Sequence, residues 1–212
     1  MLLFVHAAAV SRSAVEAALS RRPLAAFEVG HALIPGLVDP AAVRFAEDAT
    51  AFERLYGAVR AHLRGREERV VLSCSVYNGF APRLTEALGL PVERSDDAGA
   101  RAALAMGSRI ALAVSYPPSR DVIARHLRAL AAAGQEPTLR PLLAENSFAF
   151  ADDPARYGEA LAEACASAGE CDCLFLAQYS MDPFAAEIGA RSRIPVVSAL
   201  AATLERLAGE IV

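Results

Sequence analysis

The 212-residue chain has no run rich in lysine or arginine and no basic stripe, which excludes the electrostatic footprint of a nucleic-acid partner. Its net charge is −4 and its pI near 5.6. Long hydrophobic runs are also missing: every apolar stretch is broken well before the roughly 18 residues a membrane span needs, so no membrane partner is expected. The opening segment, MLLFVHAAAVSRS, has the apolar run of a signal peptide but no basic residues ahead of it. It reads better as a first strand entering a loop, and the expected compartment is cytoplasmic. Cysteines number four, at 74, 165, 171 and 173, and in such a compartment they are expected to be reduced. Cys171 and Cys173 form a C-x-C pair, yet no histidine lies near them and no metal site is expected. Cys165 falls on a helix face with Leu161, and all three read as buried small apolar residues.

What is present is a globular composition, 54% apolar and 22% charged, long enough for one large domain or two small lobes. Short apolar runs alternate with amphipathic segments. The runs predict strands at Leu2–Ala7, Ala25–Val29, Arg69–Cys74, Arg109–Ser115, Glu136–Leu139, Cys173–Ala177 and Ile194–Val197. Phe80, Leu84, Ala87 and Leu88 share one helical face, as do Ile123, Leu127 and Leu130. Asp-Pro pairs at 39–40, 153–154 and 182–183 read as helix starts, since aspartate accepts the free first-turn N–H groups and proline needs none of its own. Asp96-Asp97 reads as a further cap, and RGREERVV at 64–71 as a solvated turn. Alternation of this kind implies an α/β fold of mostly parallel sheets flanked by helices.

An internal repeat refines the picture. VVLSCSVYNGF at 70–80 and LFLAQYSMDPF at 174–184 superimpose, matching Leu72 with Leu176, Cys74 with Gln178, Asn78 with Asp182 and Phe80 with Phe184. FVHAAAVSRSAVEAAL and ALAVSYPPSRDVIARHL pair in the same order, aligning Ser11-Arg12 with Ser119-Arg120 once a loop residue or two is allowed to slip. Two such pairs at nearly equal separations predict two similar, pseudo-symmetric lobes: residues 1–95 with 194–212, and residues 96–193. Ligands of α/β sheets bind beyond the carboxyl ends of the strands. A pseudo-twofold axis would bring those ends together, with Cys74 facing Gln178 across an interlobe cleft.

These motifs, with LFVHAAA, SRIALAVSYPPS and IPVVSALAATLERL in their order, resemble the aspartate/glutamate/hydantoin racemase superfamily over nearly the whole chain; its relatives include maleate isomerase and arylmalonate decarboxylase. The resemblance implies a cofactor-free, PLP-independent reaction in which two cysteines on opposite sides of a carbon acid exchange protons with it. It also implies a thiol whose pKa is lowered by helix N-termini and nearby donors. Cys74 stands at the first cysteine position as the candidate catalytic residue. Ser75, Val76, Ser115, Tyr116, Ser119, Gln178, Tyr179 and Ser180 are the candidate substrate-binding residues, with His6 and Ser11 at the first loop. His6 on an apolar strand also reads as a core histidine, and Tyr77 and Tyr179 as pocket walls or as packing at helix caps. The second cysteine position holds Gln178, and an amide does not exchange protons at useful rates near neutrality. The readings left open are a racemase-like isomerase, a single-cysteine decarboxylase of the arylmalonate type with its thiol in the opposite motif, and a non-catalytic binder of a small carboxylate. The expected partner is a small carboxylate, with assembly into a homo-oligomer open.

Overall fold

A computed structural model describes residues 1–22, 24, 27–36, 48–133, 135–144, 147 and 152–209. The alternating segments build two parallel four-stranded sheets. The first contains β1 (Leu2–His6), β2 (Val29–Leu33), β3 (Arg69–Leu72) and β4 (Val92–Glu93) in the order β2-β1-β3-β4; the second contains β5 (Arg109–Val114), β6 (Thr138–Leu143), β7 (Cys173–Leu176) and β8 (Val196–Ser198) in the order β6-β5-β7-β8. The second order is the first repeated with each strand replaced by its duplicate. Each third strand runs into a six-residue 3-10 turn, Ser75–Phe80 or Tyr179–Phe184. The α-helices are α1 (Ala9–Arg21), α2 (Ala49–His62), α3 (Ala81–Leu88), α4 (Asp97–Met106), α5 (Ser119–Leu130), α6 (Pro154–Ala166), α7 (Ala185–Ser192) and α8 (Ala199–Gly209).

Period-two alternation sorts the strand side chains into layers. Leu2, Phe4, Val71, Ile110, Leu112, Val114 and Phe175 point into a central core shared by both sheets, where α1, α4, α5 and α8 supply Val15, Ala103, Leu127 and Leu204. Leu3, Val5, Val70 and Leu72 face outward onto α2 and α3, through Phe52, Leu55 and Leu84. Ala111, Ala113, Leu174 and Leu176 face Tyr157, Leu161 and Ile188 of α6 and α7. Strands covered on both faces read as continuous apolar runs, and this is why β1, β3, β5 and β7 were visible in the sequence. The outer strand β6 carries exposed Arg140 and Pro141; proline is tolerated there because an edge position leaves its missing N–H unneeded.

Several expectations are corrected. Instead of Ala25–Val29, the second strand is Val29–Leu33; Ala25 and Ala26 lie outside the described residues. Pairing starts where the Glu28 carbonyl accepts the Leu2 N–H, and Gly30 and His31 break the apolar pattern that would have marked the strand. β6 begins two residues later than expected and runs to Leu143. The closing strand does not return to the first lobe: β8 pairs with β7 in the second sheet, and α8 enters the central core. Asp39-Pro40 lies outside the described residues. Asp153 does cap α6, accepting the Arg156 N–H with Pro154 in the first turn. Asp182-Pro183 instead falls inside the second 3-10 turn, where Asp182 accepts the Ser198 hydroxyl and faces Arg21 of α1. Asp96 precedes α4, but its carboxylate is held by Arg94 rather than by helix N–H groups. In the 64–71 segment Glu67 is buried, accepting the N–H groups of Arg64 and Arg66. Cys165 and Cys173 are buried whereas Cys171 is partly exposed. Among the described residues no helix is long and apolar enough to cross a membrane.

The central core tolerates little added volume. A methyl group on Gly99 of α4 would come within 2.6 Å of the Phe175 ring and 2.8 Å of the Ala199 Cα. A glycine-to-alanine change inside a helix ordinarily stabilises by about 1 kcal/mol, but overpacking a filled core costs roughly 1–3 kcal/mol. Gly99→Ala is therefore expected to destabilise, read as a lower urea midpoint; a raised midpoint would show that α4 can move away from β7 and α8 to admit the methyl.

Candidate functional site

Cys74 and Gln178 occupy the same place in the two lobes. Each follows its third strand in extended backbone, with φ, ψ of −113°, 119° and −123°, 139°, and each carbonyl accepts the first bond of the 3-10 turn behind it, from Tyr77 and Met181. The turns are themselves anchored alike. Asn78 is clamped to Ser95, just beyond β4, by its amide N–H on the Ser95 hydroxyl and by the Ser95 N–H on its own oxygen, 3.0 Å each. Asp182 takes the hydroxyl of Ser198 at the end of β8.

The two residues meet at a cavity of about 300 Å³ between the lobes. Of the residues singled out from the sequence, Ser11, Ser75, Val76, Tyr116 and Ser180 line it together with Cys74 and Gln178. Sequence reasoning missed Ala7, Ala8, Gly36 and Ser73, which complete the described wall. Gly36 has φ +68°, and the Pro35-Gly36 pair after β2 was the turn signal that could have found it. Tyr77 is a wall residue, its hydroxyl donating to the Ile34 carbonyl at 3.0 Å.

The remaining candidates stand elsewhere. Ser119 lies behind the wall, accepting the Ser75 hydroxyl at 2.7 Å across the lobe boundary. Ser115 also lies behind it: its N–H and its hydroxyl both donate to Gln178 Oε1, at 2.7 and 3.0 Å. Tyr179 is not a site residue, because its ring fills the central core and its hydroxyl donates to Thr203 Oγ1 at 2.9 Å. His6 is the core histidine: Nδ1 lies 2.7 Å from Ser73 Oγ and Nε2 3.0 Å from His31 Nδ1. Burial, then the neighbouring His31 and Arg12, lowers its pKa to about 3, so the ring is neutral.

The thiol runs against expectation. Burial pushes Cys74 up to about 11, although hydrogen bonds from the Val76 and Tyr77 N–H groups pull it down. The short turn supplies two donors but among the described residues no cation reaches the sulfur, so desolvation prevails. A more open cleft of about 360 Å³ between α3, β4, α4 and α8 contains Glu93, Arg94, Asp97 and Arg206. Its charges neutralise one another, Arg94 with Asp96, Arg206 with Glu93 and Asp97 with Arg101, and it has no thiol. Among the described residues no cluster of His, Cys, Asp and Glu could hold a metal ion.

Compared by sequence, the chain matches no protein-family model and no curated protein. Solved structures do share its fold. Glutamate racemase from Bacillus anthracis superimposes with a TM-score of 0.76 at 14% identity, covering 100% of this chain and 81% of its own. Allantoin racemase from Pseudomonas fluorescens gives 0.70 at 17%, covering 99% and 90%. A variant of arylmalonate decarboxylase with one glycine-to-cysteine and one cysteine-to-serine change gives 0.61 at 20%, covering 98% and 92%. The chain thus shares its fold with these two racemases and with arylmalonate decarboxylase.

The buried His6 generates a pH dependence with a fixed sign. In the unfolded chain this histidine takes a proton below about 6.5, whereas in the folded protein it does not until about 3. Its contribution to stability is whole above 6.5 and is lost as the pH falls towards 3, at up to about 1.4 kcal/mol per pH unit. Urea unfolding at pH 7, 5.5 and 4.5 should show this decline, and His6→Gln should flatten it; an unchanged slope in the variant would place the titration elsewhere.

Proposed function

We propose, with the racemase-superfamily fold as the premise, that the protein is a cofactor-independent enzyme that acts at the carbon next to the carboxylate of a small acid, with the Cys74 thiol as its proton carrier. The observation that carries this reading is one cavity with a thiol on one wall and an amide at the equivalent place on the other. A pKa of about 11 leaves about one molecule in 10⁴ ionised at neutral pH. The resting group is therefore a proton donor.

Gln178 cannot complement it as a base. Racemisation needs removal of a proton from one face and return to the other, and this pair supplies one acid/base group. One-sided protonation suits decarboxylation better. With a second carboxylate on the α-carbon, the carbon–carbon bond breaks, carbon dioxide leaves, and the electron pair stays as a planar enediolate. A C–H bond then forms from Sγ–H, and the resulting thiolate regains its proton from water. The Ser11 hydroxyl and the amide N–H of Gln178, both on the cavity wall, would orient the acid and support the developing charge. All 21 cationic residues are arginine, so no lysine amine is present to form a Schiff base, consistent with chemistry that does without PLP.

A thermal-shift screen of small mono- and dicarboxylates selects the ligand, and turnover of that ligand in heavy water tests the reading. Decarboxylation should release carbon dioxide and place one deuterium in a single product enantiomer, while racemisation would wash label into both. Cys74→Ala should lower turnover by at least about 10²-fold; full activity in that variant overturns the role of the thiol, and binding without turnover in the parent favours a carboxylate-binding protein. Gln178→Cys tests the other wall. Provided alkylation shows the new thiol to be ionisable, α-hydrogen exchange on both faces should appear or rise, and no gain would mean that the second position lacks more than a thiol.

A further inference from the structure

The cavity wall of the second lobe is backed by a chain of buried hydroxyls whose direction can be read from one end. The Ser115 backbone N–H can only donate, so the Gln178 atom 2.7 Å from it is the amide oxygen, and the orientation of the amide is settled by geometry. The same oxygen lies 3.0 Å from Ser115 Oγ, which must donate to it. With its hydrogen committed, Ser115 Oγ accepts from the Tyr157 hydroxyl at 3.0 Å. The Tyr157 hydrogen is then used as well, so the Ser180 hydroxyl, 2.8 Å away, donates to Tyr157. Every member of the chain has one arrangement open to it.

Two of its ends reach the cavity. Gln178 and Ser180 are wall residues, whereas Tyr157 and Ser115 are about 1% exposed. Both bonds to Gln178 Oε1 come from Ser115, and among the described residues Nε2 has no hydrogen-bond partner. Since no fully buried side-chain nitrogen or oxygen in the described structure lacks a partner, Nε2 is reached from the cavity. The wall opposite Cys74 therefore meets a ligand with an amide N–H donor fixed in place.

We infer that Tyr157, which touches no ligand, is the positioning residue of this wall: by donating to Ser115 and accepting from Ser180 it fixes the Gln178 amide so that its N–H faces an anionic group held against Cys74. This rests on the reading of the cavity as a carboxylate site. Without the Tyr157 hydroxyl, Ser115 and Ser180 each lose a buried partner and their hydrogens are free to turn.

Tyr157→Phe keeps the ring and removes the hydroxyl. Two readouts decide. The Gln178 side-chain amide pair in a ¹⁵N–¹H spectrum, identified by its absence in Gln178→Leu, should shift in Tyr157→Phe; an unmoved pair overturns the inference. The second readout is alkylation of Cys74, in which the thiolate displaces iodide from iodoacetate, an anion, or from iodoacetamide, which is neutral; reaction at Cys74 is confirmed by its loss in Cys74→Ala. At one pH the ratio of the two rates cancels the thiolate fraction. It should fall about fivefold in Tyr157→Phe, fall also in Gln178→Leu, and fall no further in the double variant. General loosening of the lobe would change both rates alike, so an unchanged ratio, or additive losses in the double variant, overturns the inference. Should Cys74 resist both reagents, the amide pair alone decides the role of Tyr157, and the proton-carrier reading is decided separately by turnover of Cys74→Ala.

Discussion

Everything at the cavity depends on a reciprocal exchange in the central core. The helices that follow the equivalent strands β1 and β5 each pack against the 3-10 turn of the other lobe: α1 against Tyr179–Phe184, and α5 against Ser75–Phe80. Val15 and Ala18 on one side and Ile123 and Leu127 on the other lie in the shared apolar layer, and the hydrogen bond from Ser75 to Ser119 and the Arg21–Asp182 ion pair cross the boundary with them. The apolar contacts dominate, since the ion pair is exposed on its arginine side and such pairs contribute about 0–1 kcal/mol. Because each turn is wedged by the opposite lobe, the strand ends that precede the turns are brought to face each other. The site is a by-product of how the lobes hold together.

That same wedge explains the state of the thiol. A turn pressed into an apolar interface offers Cys74 two backbone donors but also strips it of water, and among the described residues no arginine reaches it to restore the balance. A thiolate in such a place costs more than the two hydrogen bonds return. The second lobe meets the same constraint with neutral groups throughout: the burial-raised pKa of Tyr157 keeps it a phenol, and Gln178 carries no charge to desolvate. The described wall of the cavity is thus polar through dipoles and hydroxyls.

Elements buried on both faces could be read from sequence, because continuous apolar runs such as VVL and LFL leave little choice. The two similar lobes followed from the repeat of these runs, and so did the meeting of Cys74 with Gln178; the strand order within each sheet came only from the structure. Residues whose role is fixed by a neighbour distant in sequence could not be read in this way. Ser115 is a cavity-edge candidate by position, yet it serves Gln178, 63 residues on. Tyr179 follows the motif residue directly but turns into the core, since the 3-10 turn sends successive side chains to different sides. β4 has two residues and no periodicity to detect. The thiol's pKa misled for the same reason: motif position says where the sulfur is, whereas its acidity depends on how tightly two remote segments close over it.

The near-twofold relation between the lobes has one more consequence. Two separate, identical half-chains meeting through this interface would form an isologous pair, and symmetry would oblige them to present the same residue from both sides. Such a pair could offer two thiols or two amides, never one of each. Covalent linkage lifts that obligation. In this chain the helices and turns retain the symmetric frame while the two central positions differ, which gives the cavity a handedness: a ligand that enters it meets a sulfur on one side and an amide on the other, and its two faces are no longer equivalent.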